Sequence, residues 1–379
     1  MAHAGTALVL ADAAPDARAA IERAFQGAGI EPTLETAAED AVRLLGSRRF
    51  DALVVHLGTP GAAGFCLKAR GRLLRMRVPI VALVDGVDED DFARAYRAGA
   101  DEVLPLDRLE LLTARLASLP RSVLPQPGQP RGDALVADPD RLRAEVVERL
   151  LRDAGFRVEL AHDAFAAKLL TARPAFKLAV VDAALEPPLG LLRTARARGS
   201  RAAWVVRARP EQVDALRGEL GAAESVAVVS AYGPPEDVLF ESNRLLDPRQ
   251  RDGRIGARLL HGGILELRWP GMPGPDLGYS YNVSSAGIFV RTLAEPRGED
   301  VEVRATVPGT STRVRLEARV VWRREFGATR REPVPAGFGL RLTGGDLASW
   351  AAAAPEAPSL RPLPPRASES EPPSGGGPL

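Results

Sequence analysis

Two arginines four apart, Arg254 and Arg258, and a polar run, Asn282-Val283-Ser284-Ser285-Ala286-Gly287, are the residues of this 379-residue chain best suited to binding chemistry. A guanidinium group carries a planar fork of donors that can bond phosphate oxygens, or a paired carbonyl oxygen and ring nitrogen, through two parallel hydrogen bonds. A spacing of four lets both groups approach from one side when the chain between them curls into a turn. A small, polar strand-end turn leaves room for a planar group to reach the backbone, and Gly287 supplies the clearance. The four histidines, His3, His56, His162 and His261, lack zinc-binding spacings, and Cys66 is the only cysteine, so neither a disulfide within the chain nor a structural metal is expected. No set of nucleophile, base and oxyanion donors stands out, which argues against an enzyme.

The elements that must position these residues change character along the chain. Strands and helices alternate from residue 6 to about 118 and again from 133 to about 246, which implies parallel sheets flanked by helices. In the first unit, apolar runs at Ala7–Ala11, Leu53–Val55, Pro79–Val84 and Glu102–Leu104 predict buried strands. Helical spacing covers Asp16–Ala28, Ala38–Ser47, Phe65–Leu74, Glu89–Ala98 and Leu109–Leu119. A shift of 126 residues places Asp12 on Asp138, Gly29 on Gly155, Phe50 on Phe176, Val54-Val55 on Val180-Val181 and Gly64 on Gly190, so one fold is duplicated. The same shift places His56 on Asp182.

Both units resemble the receiver domains of response regulators, a five-stranded doubly wound fold whose site lies at the carboxyl ends of the strands. In the first unit the resemblance rests on Asp12 with Pro15 and Arg18, on Phe50-Asp51-Ala52-Leu53-Val54-Val55, on Pro60 and Gly64, and on Ala98-Gly99-Ala100-Asp101-Glu102. It implies an aspartate nucleophile, an acidic pair for Mg²⁺, a Ser or Thr and a lysine, but these positions hold His56, Asp12 with Ala13, Val84 and Leu106. The first unit is therefore a pseudo-receiver. In the second, Asp182 stands at the phosphoacceptor position, and Asp138 and Asp140 are the carboxylates that would join it around Mg²⁺. Pro139 interrupts that acidic pair, strand four ends in Arg207 without a Ser or Thr, and no lysine follows Lys177. Both units are expected to work as interaction modules, with the final helices, Leu109–Leu119 and Pro234–Leu246, as surfaces for a partner protein or a second copy.

From Ile264 the pattern becomes short strands broken by Gly and Pro: Ile264–Trp269, Ile288–Val290, Val301–Thr306, Val314–Trp322 and Gly337–Leu342, with a short closing helix from Gly345 to Trp350. Together with Arg254 and Arg258, the run Tyr281–Thr292, then Arg319-Val320-Val321-Trp322, then Gly337-Phe338-Gly339-Leu340-Arg341-Leu342 resembles the PilZ domain, a small antiparallel β-barrel. In that family the RxxxR and (D/N)xSxxG signatures clamp cyclic di-GMP. The resemblance assigns Arg254 and Arg258 to phosphate and guanine contacts, and Asn282, Ser284 and Gly287 to the opposing barrel face. The physical fit is direct, because the ligand presents two phosphates and guanine edges whose O6 and N7 accept from one guanidinium.

Composition bounds the rest. The 50 basic and 49 acidic residues nearly cancel, so nucleic acid is not an expected partner. The absence of an apolar leader or of a long apolar run predicts a cytoplasmic protein without membrane insertion. Four prolines in the twelve residues 119–130 mark a linker, and the Pro-, Ser- and Gly-rich residues after Trp350 are expected to be disordered. The expected architecture is thus α/β plus β: a degenerate receiver over 1–122, a second over 131–247, a barrel with its arginine connector over 248–350, and a tail over 351–379. The expected function is a non-enzymatic signalling effector that binds cyclic di-GMP and needs no cofactor. A phosphorylated response regulator acting through Asp182, or a ligand-free scaffold in a motility or polarity assembly, are the alternatives.

Overall fold

The computed structural model describes residues 5–73, 78–117, 130–171, 173, 175–220, 223, 225–246, 258–326 and 335–353. Its first unit runs β1 (Gly5–Leu10), α1 (Pro15–Ala28), β2 (Ile30–Glu35), α2 (Ala38–Ser47), β3 (Ala52–His56), α3 (Ala62–Lys68), β4 (Ile80–Val84), α4 (Glu89–Arg97), β5 (Glu102–Pro105) and α5 (Glu110–Ala117). All pairings are parallel, in the order β2-β1-β3-β4-β5. The central strands β3 and β4 are buried at every position, because helices cover both faces. That is why they read as unbroken apolar runs. The second strand, Ile-Glu-Pro-Thr-Leu-Glu, carries no such run: it is a sheet edge, where a proline is tolerated and half the surface faces water. The helix expected over 65–74 starts at Ala62, and beyond Lys68 it widens into a π-helical turn over Ala69–Leu73.

The second unit repeats this arrangement with β6 (Gly132–Ala137), α6 (Arg141–Asp153), β7 (Phe156–Ala161), α7 (Ala164–Thr171), β8 (Phe176–Asp182), α8 (Pro188–Ala197), β9 (Ala203–Ala208), α9 (Pro210–Leu220), β10 (Val226–Ser230) and α10 (Glu236–Leu246). The order β10-β9-β8-β6-β7 is the same parallel winding. The two units touch where the π-helical turn meets α6. A Cβ added at Gly71 would lie 3.2 Å from Glu145 Cβ, a tight contact that a glycine there avoids.

The third unit comprises β11 (Leu259–Leu260), β12 (Ile264–Arg268), β13 (Asp276–Ser284), β14 (Gly287–Arg291), β15 (Asp300–Thr306), β16 (Arg313–Arg324), β17 (Gly337–Gly345) and α11 (Leu347–Ala353). Six of these strands, in the order β13-β12-β15-β16-β17-β14, close through the β13–β14 pairing, and β11 precedes β12 along the same edge of β13. Alternation along β16 shows how: Val314, Leu316 and Ala318 enter the core, while Arg313, Arg315 and Arg319 face out. Trp350 of α11 plugs the barrel and donates to the Ser284 carbonyl at 3.0 Å. The helix continues to Ala353, three residues past the point where the disordered tail is expected to begin. The remaining tail and nearly all of the 119–130 linker lie outside the described residues.

The longest departure from the sequence expectation is β13. No strand is expected between Trp269 and Ile288, and the Asn282–Gly287 run is expected to be a strand-end turn; instead all nine residues from Asp276 to Ser284 form a buried strand, and the turn is Ser285-Ala286. The strand is buried on both sides because its outer face packs against the receiver units. Tyr279 joins the first receiver's core beside Phe92 and Tyr96, and Tyr281 meets Phe240 of α10 edge-on at 6.1 Å. The two final receiver helices, expected to be open to other proteins, are therefore engaged within the chain by the barrel.

Candidate ligand-binding site

The barrel wall brings part of the sequence-predicted constellation together. Antiparallel register pairs Leu259 with Val283 and Leu260 with Asn282, so Arg258, one residue before β11, stands beside the Ser284 end of β13. Ser284 pairs in turn with Gly287, and Gly287 with Arg341 of β17. Arg258 and Arg341 are exposed, whereas Asn282 and Ser284 are 6% and 7% exposed. Ser284 Oγ reaches the Gly287 carbonyl at 3.5 Å, holding the turn closed. Gly287 is needed for packing: an added Cβ would sit 2.6 Å from the Leu340 carbonyl oxygen on the neighbouring strand. Arg254 lies outside the described residues.

An aromatic row that sequence reasoning missed runs beside these residues. Asn282 pairs with Phe289, and Phe289 with Gly339, which pairs with Trp322. The Phe289 and Trp322 rings stack at 5.1 Å and 8°, Arg324 lies over Trp322 at 5.6 Å, and Tyr281 meets Phe289 edge-on at 6.0 Å. Alternation provides the signal that could have found it, since Ile288 and Val290 enter the core and leave Phe289 on the outer wall. The face thus combines arginine donors, small polar side chains and a flat aromatic surface, which suits an anionic ligand with planar bases.

The receiver pockets are built differently. In the first unit His56 ends β3, is 6% exposed, and has Nε2 3.0 Å from Asp85 Oδ1. The Asp12 amide donates to Thr59 Oγ1 at 2.8 Å, while Val84 ends β4 and Leu106 follows β5. In the second unit Asp182 ends β8, and Asp138 follows β6; they are 4% and 1% exposed. Arg207, at 5% exposure, donates to Asp138 Oδ2 at 2.5 Å and to the Ala231 carbonyl at 3.2 Å. Arg143 of α6 lies 3.4 Å from Asp138, 3.3 Å from Asp140 and 3.9 Å from Asp182. Asp140 caps α6 by accepting from the Leu142 and Arg143 amides. Burial pushes the Asp138 carboxyl above the usual carboxylate range against the pull of Arg207 and Arg143, and burial likewise lowers Arg207.

Two guanidinium groups therefore occupy the acid pocket where Mg²⁺ would have to sit. Among the described residues, no group of three or more His, Cys, Asp or Glu side chains is placed to hold a metal ion. The arginine of strand four was visible in the sequence, but Arg143 was not singled out. Its position five residues after Asp138 on an amphipathic helix was the available signal.

Strand order 2-1-3-4-5 in each α/β unit is that of receiver folds, and the third unit is a closed six-stranded antiparallel barrel. The chain is two receiver-like folds followed by a PilZ-like barrel. No protein-family profile matches it, and no curated protein matches it. Among solved structures it is similar to a response regulator from Chloroflexus aurantiacus J-10-fl, at 22% identity over 31% of this chain and 99% of that one, with a TM-score of 0.28. It is similar to the PilZ domain of CeSA from a cellulose-synthesizing bacterium, at 18% identity over 26% of this chain and 90% of that one, with a TM-score of 0.19. A two-component system response regulator/GGDEF domain protein is 21% identical over 65% of this chain and 100% of its own, with a TM-score of 0.28. Among the described residues no helix is long and apolar enough to cross a membrane.

Proposed function

We propose that this chain is a non-enzymatic signalling effector whose barrel binds cyclic di-GMP, with the two receiver units serving as protein-contact modules. The observation that carries the reading is the β11–β13 register, which sets Arg258 at the Ser284 end of the strand leading to Gly287. An arginine there is suited to a phosphate or a guanine edge, and the polar strand end beside it to further hydrogen bonds. No cofactor is required by this chemistry, and a cytoplasmic setting suits such a messenger. Phosphorylation of Asp182 is the weaker reading, because the carboxylate that would share a cation with it is already paired to Arg207 and Arg143.

A charge-assisted hydrogen bond contributes about 1.5–3 kcal/mol, so removing one arginine weakens binding about tenfold or more. Calorimetric titration of the full chain with cyclic di-GMP tests this. Saturable binding by the wild type, weakened at least tenfold in Arg254→Ala and in Arg258→Ala, is the expected result. No binding by the wild type, or wild-type affinity in both variants, would overturn the site.

A further inference from the structure

We propose that Arg291 couples the ligand turn to the barrel's grip on both receiver units, so that the receivers set the affinity of the turn and the ligand sets how firmly they are held. This rests on the ligand reading above and concerns the regulation of that same site. Gly287 and Arg291 are the two ends of β14, roughly 13 Å apart at about 3.3 Å per residue. One end borders the candidate ligand face, and the other is buried between three units.

Arg291 is 1% exposed and belongs to the barrel, yet its hydrogen bonds leave it. Nη2 donates to the Ala100 carbonyl of the first receiver at 2.6 Å and to Glu236 Oε1 of α10 in the second at 3.3 Å. The guanidinium also lies over the Tyr96 ring of α4 at 4.3 Å. Thus one side chain touches both receivers. The next two residues extend the grip: Thr292 Oγ1 and the Leu293 amide donate to Glu102 Oε2 on β5 at 2.8 and 2.5 Å. Glu102 faces Arg115 Nε of α5 at 3.3 Å, and Arg115 Nη2 donates to Asp276, the first residue of β13, at 2.8 Å. The base of the β13–β14 hairpin is therefore pinned to the receivers by buried charges, while its tip carries Asn282, Ser284 and Gly287.

Buried ion pairs tolerate no halfway state. Separating one leaves a charge without its partner in an apolar setting, at a cost well above what the intact pair contributes. Arg291 sharpens this, because its Nε and Nη1 have no hydrogen-bond partner, so its placement depends on all the Nη2 and ring contacts holding together. A junction of this kind is either docked or released, and a paired hairpin passes a displacement at its tip to its base. Binding free energies linked this way are reciprocal: whatever loosens the base must change affinity at the tip.

The experiment compares full-length wild type, Arg291→Ala and Glu236→Gln by hydrogen exchange without ligand and by calorimetry with cyclic di-GMP. Glu236 lies in the second receiver, outside the barrel, so its substitution keeps the test open if Arg291→Ala does not fold. Faster exchange in 89–100 and 236–246 is expected for Arg291→Ala, faster exchange in 236–246 for Glu236→Gln, and affinity at least fivefold weaker in both, the lower end of typical coupling. Affinity unchanged in a folded variant while the wild type binds would overturn the coupling alone. A wild type that does not bind would overturn the ligand reading, and unchanged exchange in both variants would overturn the pin itself.

Discussion

Replacing Arg207 with alanine asks whether the second receiver's acid pocket is held shut by its own arginines. The Arg207–Asp138 pair is closed to water on both sides, at 5% and 1% exposure and 2.5 Å. Removing one partner of a buried pair costs about 3–5 kcal/mol. Because Arg143 stays 3.4 Å from Asp138 and takes over part of the charge, a loss near the lower end, about 3 kcal/mol, is expected at neutral pH. Typical domain stabilities of about 5–15 kcal/mol leave room for the variant to remain folded.

The pH dependence follows from Asp138. Burial already holds its carboxyl above the usual range, and the substitution removes the larger of the two attractions opposing that rise. An acid whose folded pKa exceeds its unfolded value binds its proton more tightly when folded, so its penalty is full at neutral pH and is relieved as pH falls through the folded pKa. Denaturant unfolding of Arg207→Ala against wild type should therefore show a deficit of about 3 kcal/mol at neutral pH that shrinks as the pH falls through the raised folded pKa of Asp138. A deficit below about 1 kcal/mol, the range of an exposed pair, or one that does not vary with pH, would refute the reasoning.

Four further outcomes are expected. Gly287→Ala forces β14 from β17 at the Leu340 carbonyl and should lower barrel stability by about 1–3 kcal/mol in thermal unfolding, together with weaker cyclic di-GMP binding. Glu102→Ala, which strips the acceptor from Thr292 and Leu293 and the partner from Arg115, should destabilise by about 3–5 kcal/mol in denaturant unfolding, with Glu102→Gln costing less because it keeps size and an acceptor. Burial pushes the Cys66 thiol up to about 12, so thiol reagents should react with it only as fast as the first unit opens, and a rapid reaction in native buffer would contradict that. Trp322 is the half-buried tryptophan stacked on Phe289, which pairs with Asn282, whereas Trp204, Trp269 and Trp350 are buried, so ligand should change tryptophan emission in the wild type but not in Trp322→Phe.

What the sequence reveals depends on whether the signal is local. The strands of both α/β units are legible where helices cover both faces, as in β3 and β4, and fail at the polar edge strand β2 with Pro32. The motif strand β13 carries a period-2 signal, Leu277, Tyr279, Tyr281 and Val283 alternating with Gly278, Ser280 and Asn282, but its burial on both faces is not legible from that pattern. It is buried on its outer side only because receiver residues cover it, as the Tyr279 and Tyr281 contacts show. Asp138, Asp182 and Arg207 were located individually from strand ends, but that the arginine neutralises Asp138 depends on approach across 69 residues. Arg115 and Asp276 are separated by 161 residues, a distance no periodicity spans.

The same contacts give a physical reason for two receivers on one barrel. The duplication carries Glu110, the first residue of α5, onto Glu236, the first of α10, and both helices end up on the β13–β14 hairpin. They hold different parts of it: α5 reaches the start of β13 through Arg115, and α10 reaches Tyr281 and the end of β14 through Phe240 and Glu236. Buried charge pairs add little net stability compared with apolar packing of the same volume, but they penalise every misaligned docking heavily. The Arg115–Glu102–Asp276 and Arg291–Glu236 contacts are thus better suited to fixing how the hairpin sits than to strengthening its attachment. With His56 in one receiver pocket and Arg207 and Arg143 in the other, the two units meet the β13–β14 strand pair through their final helices, one at its start and the other at its end.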